Sequence, residues 1–137
     1  MIDHVSIRVS DVKKSAEFYE KVLGTIGYKK IVEFDEGVGF GVGQHIRSAE
    51  LSISSPDSSM IWIIQEGKED PLTKNVHVGF RVADVETVKK FYDTALAAGG
   101  KNNGAPGKCP EYGDTYYGGF VLDMDGNNIE AVTHVKE

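Results

Sequence analysis

Three residues of the 137-residue chain have the types needed to hold a divalent metal: His4, His77 and Glu130. Two imidazoles and one carboxylate suit zinc, nickel, manganese or iron and leave coordination positions open for water or substrate. Each of the three has an ordinary alternative. A strand histidine is commonly a hydrogen-bonded rim residue, and a glutamate after an Asp-Gly turn commonly faces solvent. The two histidines are linked, however, by their places in the chain. His4 opens IDHVSIRVSDVKKSAEFYEKVL and His77 opens NVHVGFRVADVETVKKFYDTAL, a restatement at a constant offset of 73 residues. Val5 answers Val78, Arg8 answers Arg81, Asp11 answers Asp84, and Phe18-Tyr19 answers Phe91-Tyr92. A repeat of this kind puts equivalent residues at equivalent places in the fold.

Each copy reads as a strand followed by a helix. Alternation from Ile2 to Val9 sets His4, Ser6 and Arg8 on one face and Val5, Ile7 and Val9 on the other. Asp11, or Ser10, is an N-cap, and apolar residues from Val12 to Ile26 follow at helical spacing up to Gly24 or Gly27. That helix packs on the valine face and leaves His4 on the opposite one. Strands are expected at 28–34, 38–42 and 60–65, with Gly43–Ser59 a loop in which Glu50–Ile53 is the one stretch with strand character. In the second copy His77, Gly79 and Arg81 share a face, Asp84 caps the next helix and Gly99-Gly100 stop it. Asn102–Asp114 is rich in turn residues and supports at most one short strand near Cys109–Tyr112. Tyr116–Asp123, an Asp-Gly hairpin turn and Asn128–Val135 close the chain, with Glu130, Val132 and His134 on one face.

The fold class is therefore α+β: two tandem βαβββ modules, about 1–66 and 75–137, in a single domain, because halves of that size are marginal alone. They are expected to share one cupped, barrel-like mixed sheet with the helices outside. A formal charge of −6 and a pI near 5.2 argue against nucleic acid. The sequence has no apolar run of membrane-spanning length and no signal-peptide pattern, and its single cysteine, Cys109, can form no intrachain disulfide. A cytoplasmic protein is expected.

The doubled βαβββ pattern, a histidine opening each module, FYxxxL in both helices and the closing FVLDMDGNNIEAV resemble the vicinal oxygen chelate superfamily. That superfamily includes glyoxalase I, extradiol dioxygenases and bleomycin-resistance proteins. The resemblance spans the whole chain and implies a cupped sheet around a metal, a small-molecule substrate and a homodimer. It places metal ligands at His4, His77 and Glu130 and a fourth within Met60–Gln65, where Ile61-Trp62 aligns with Ile129-Glu130. Trp62 cannot ligate. Gln65 serves only in a shifted register, and His45 only if its loop folds inward. Two histidines and a glutamate form the set that extradiol dioxygenases also use.

Around this set, Tyr112, Tyr116 and Tyr117 stand near the expected pocket mouth, with Tyr112 and Tyr117 the catalytic candidates as donors to an oxyanion. Packing is their ordinary role. Arg8, Arg81 and Trp62 are candidate substrate-binding residues, the arginines for an anionic group unless acids at the sheet ends pair with them. His134 lies roughly 13 Å along the strand from Glu130, too far to share a metal. Cys109 lacks a general base and is read as structural. Two functions compete: a metal-dependent lyase, isomerase or dioxygenase acting on adjacent oxygens, and a metal-free binding protein of the bleomycin-resistance kind.

Overall fold

The computed structural model describes residues 2–42 and 59–135. His45 and Glu50–Ile53 lie outside those residues. The first module runs β1 (His4–Val9), α1 (Val12–Gly24), β2 (Lys29–Phe34), β3 (Gly37–Gly41) and β4 (Met60–Gln65). The second runs β5 (His77–Arg81), α2 (Val85–Ala97), β6 (Lys101–Lys108), β7 (Tyr116–Leu122) and β8 (Asn128–His134). Each module forms its own four-stranded mixed sheet, ordered β1-β4-β3-β2 and β5-β8-β7-β6. There are thus two open sheets instead of one continuous one.

Both helices start where an aspartate accepts from a backbone N–H three residues on: Asp11 from Lys14 at 3.1 Å and Asp84 from Thr87 at 2.8 Å. The Thr87 hydroxyl also donates to Asp84, and these bonds hold that carboxyl below its usual range. Helix α1 buries Val12, Phe18, Tyr19, Val22 and Leu23, and α2 buries Val88, Phe91, Tyr92 and Ala95, so each stripe covers one face of its own sheet. The apolar strand residues Ile7, Val9, Phe40, Ile63, Val121 and Ile129 complete a core that runs through both modules.

The modules meet on the helix side and along turns. The Tyr19 hydroxyl donates to buried Asp123 at 2.6 Å, and the Tyr28 and Phe80 rings pack with centroids 5.8 Å apart. The β7–β8 turn is knotted to this junction. Asp123 accepts from the backbone N–H of Asp125 and Asn127, Asp125 accepts from Ser10, and the Asn127 amide bridges Val76 and Thr73. Burial, followed by the charge of Asp123, pushes the Tyr19 phenol well above its ordinary value of 10.

One segment departs from the sequence expectation. Lys101–Lys108 is an eight-residue strand, and Pro110–Tyr112, where a short strand was expected, is a 3-10 turn. The turn residues fit because β6 is the edge strand. Its pairing with β7 shifts register between Asn102 and Gly104 and again between Gly104 and Gly107, so that Pro106 sits at an irregularity. No helix among the described residues is long and apolar enough to cross a membrane.

Candidate functional site

Strand pairing fixes which residues of the two copies are equivalent. Ser6 stands opposite Trp62, and Gly79, its counterpart 73 residues on, stands opposite Glu130. Trp62 is therefore the first module's equivalent of Glu130. Both lie on the face turned away from the helices, because the alternate residues Ile61, Ile63, Ile129 and Ala131 are buried in the core. That open face differs between the modules. In the first, Trp62 and Phe34 lie with ring centroids 6.1 Å apart, and a Cβ on Gly39 would come within 3.0 Å of Trp62. The glycine lets neighbouring apolar side chains lie across β3.

In the second module the same face is polar. Glu130 is 2% exposed, yet both of its carboxylate oxygens have partners. Oε2 lies 2.8 Å from His77 Nε2, and the Tyr116 hydroxyl donates to Oε1 in a short hydrogen bond. A carboxyl group this deeply buried needs such partners for both oxygens. Gly118 makes the room, and Gly79 lies at ordinary contact distance on the other side. A Cβ at Gly118 would stand 2.9 Å from Oε1, and one at Gly79 would stand 3.4 Å from Oε2. The His77 side chain is 53% exposed and forms the solvent side of the cluster. Burial, reinforced by the bond to Glu130, drives the Tyr116 phenol far above its ordinary value of 10, so it is a hydroxyl donor at neutral pH.

The other residues singled out from the sequence lie elsewhere. His4 is exposed and its Nδ1 is 2.7 Å from Asp3. Among the described residues no group of three His, Cys, Asp or Glu side chains converges as a metal-holding cluster. Arg8 pairs with Asp70 at 3.0 Å, while Arg81 is exposed on the strand face of His77. Tyr117 packs against the core on the helix side, Tyr112 is exposed with its ring 5.3 Å from that of Tyr116, and Tyr116 alone of the three reaches Glu130. Gln65 is committed to α1, accepting from Val12 N–H and donating to the Ser10 carbonyl. His134 contacts the Thr115 hydroxyl at 3.1 Å. Burial, then the charge of Glu111, raises the Cys109 thiol above its usual range, which makes it a poor nucleophile.

The donor set can be tested against a divalent ion. Two ligands bound at about 2.1 Å and roughly at right angles stand about 3 Å apart. The 2.8 Å between His77 Nε2 and Glu130 Oε2 is close to that spacing. These two atoms fit one side of a metal site, and a third donor has to come from beyond this cluster.

Two βαβββ modules, the second with a histidine on its edge strand β5 and a buried glutamate on the neighbouring β8, define a glyoxalase-like fold. The chain belongs to the Glyoxalase/Bleomycin resistance protein/Dioxygenase superfamily, whose family model matches residues 1–131. It is 29% identical over 132 residues to a Vibrio cholerae protein named "Probable lactoylglutathione lyase", covering 94% of this chain and 87% of that one. It is similar to the crystal structure of a glyoxalase/bleomycin resistance protein from Albidiferax ferrireducens, with a TM-score of 0.78, 26% identity and coverage of 98% and 99%. The fold is shared with a lactoylglutathione lyase from Agrobacterium tumefaciens at a TM-score of 0.66 and 14% identity, covering 97% and 92%.

Proposed function

We propose that the protein is a glyoxalase-like enzyme acting on a small molecule with adjacent oxygen functions, by isomerase, lyase or dioxygenase chemistry. In this proposal His77 and Glu130 hold a divalent metal, and His4 of a second copy completes the set in a homodimer. The observation that carries it is a carboxylate only 2% exposed, aimed at an imidazole nitrogen 2.8 Å away on the open face of a sheet. Superfamily membership and the similarity to a protein named as a lyase support the enzyme class. His4 lies outside the His77–Glu130 cluster, which is why a second copy enters the proposal. With Trp62 where a fourth ligand would stand, the centre has three protein ligands instead of the four of glyoxalase I.

A divalent ion bound there would polarise adjacent substrate oxygens as a Lewis acid. The chain's own groups do the rest. Glu130 Oε2 and His77 Nε2 would be taken up in holding the ion, so neither is free to carry a proton. Tyr116 keeps the inner carboxylate oxygen satisfied, and Arg81, exposed on the same strand face as His77, is placed to attract an anionic group. Trp62 and Phe34 offer an apolar wall on the first module's open face.

The test is metal content. Purified, reconstituted protein should carry about one zinc, nickel, manganese or iron ion per chain, and His77→Ala or Glu130→Ala should abolish it. A protein that takes up no ion under these conditions would refute the metal centre. That outcome would favour the second reading, a metal-free binding protein, for which the apolar Trp62 face speaks.

A further inference from the structure

We propose that Tyr116 is a positioning residue that limits Glu130 to a single oxygen for binding. This rests on the His77–Glu130 metal site proposed above and adds how that site stays open to a two-oxygen ligand. A carboxylate binds a metal through one oxygen or two, and the second mode uses a position that a substrate with adjacent oxygens needs. In this chain the two oxygens are already divided, Oε1 to the Tyr116 hydroxyl and Oε2 to His77.

The division is built into the sheet. Register pairs Glu130 with Phe120 and Tyr116 with His134, so the phenol must lie along the strands to reach the glutamate. It can do so because Gly118, between Tyr116 and Phe120 on the same face, has no side chain. A Cβ there would stand 2.9 Å from Oε1, 3.1 Å from Tyr116 Cε1 and 3.3 Å from Phe120 Cε2. The ring is braced on two sides, by Tyr112 at a centroid distance of 5.3 Å and by His134 at 5.5 Å, near perpendicular. Without the hydroxyl, Oε1 would be a buried acceptor with no donor, free to turn toward the ion. The first module has no such arrangement, since apolar Trp62 replaces the glutamate.

The experiment uses cobalt(II) as the probe and the full-length protein. Tyr116→Phe keeps the ring and removes the hydroxyl. It should weaken cobalt binding by about 10- to 100-fold, the usual effect of losing a partner of a metal ligand. It should also weaken the visible absorption bands as the coordination number rises. Gly118→Ala, which pushes Oε1 away from the phenol, should reproduce both changes. Tyr92→Phe, which removes a hydroxyl bonded to Asn102 outside the site, should change neither. Wild-type affinity and spectrum in Tyr116→Phe would overturn this inference alone. Failure of the wild-type protein to bind cobalt would overturn the metal site and this inference with it.

Discussion

Replacing Glu130 with glutamine separates a residue kept for function from one kept for stability. Burying a carboxylate to 2% exposure costs several kcal/mol of hydration. The bonds from Tyr116 and to His77 return about 1.5–3 kcal/mol each as charge-assisted hydrogen bonds. An amide of the same shape is far cheaper to bury. It can still accept from Tyr116 and bond to His77, at about 1 kcal/mol each. The balance puts Glu130→Gln between neutral and about 2 kcal/mol more stable. For a chain of this size that is a rise in Tm of up to about 6 °C. Alanine should act oppositely, leaving the Tyr116 hydroxyl without an acceptor and a cavity behind it, for a loss of about 2–4 kcal/mol. Urea unfolding of metal-free protein at neutral pH measures both. A shift in midpoint at constant slope is the signature of a change in stability. Destabilisation of the glutamine variant by more than about 2 kcal/mol would refute the reasoning and make Glu130 part of the folding framework.

Tyr19→Phe removes the bond to Asp123 at the module junction without leaving a cavity, and should cost about 1.5–3 kcal/mol at neutral pH. The same variant should flatten the alkaline side of the stability profile. Because the folded phenol is raised, its contribution is complete below pH 10 and drains away as pH climbs from there toward the folded value, at about 1.4 kcal/mol per pH unit. An unchanged slope above pH 10 in Tyr19→Phe unfolding curves would contradict this. Gln65→Ala strips the N–H of Val12 of its acceptor at the start of α1 and should lower stability by about 1–2 kcal/mol, read from the same melts.

The parts of the fold that were legible in the sequence are those where local pattern and tertiary demand agree. Both helices begin at the aspartates marked as caps, and β4 spans the residues its apolar run indicated, Met60–Gln65. The equivalence of Trp62 and Glu130 was implied by the family resemblance, and strand register has the same pairing. What was not legible depends on neighbours. Asn102–Lys108 has loop composition, and becomes a strand only because β7 offers an edge that tolerates two register shifts. The choice among three tyrosines was equally hidden. Tyr116 and Tyr117 are adjacent, and only the parity of β7 decides which meets Glu130 and which meets the core. A cue did exist in Gly118, among the described residues the one glycine on that face whose Cβ would crowd the glutamate. The position of His4 outside the Glu130 cluster has a cause no strand pattern carries: the modules join on their helix sides, through Tyr19, Asp123, Tyr28 and Phe80.

The most direct measurement on the central proposal is complementation between two inactive halves. His4→Ala lacks the outer donor, and Glu130→Ala lacks the inner one, so neither homodimer should hold cobalt at the set of three. Unfolding the two variants together at equal amounts and refolding them gives about half mixed dimers, each with one intact site of two if the ligands come from different copies. About a quarter of the wild-type cobalt sites should then return. If the ligands come from one chain, or if no such site exists, the mixture should bind no more cobalt than the two variants kept apart, and that result would contradict the account.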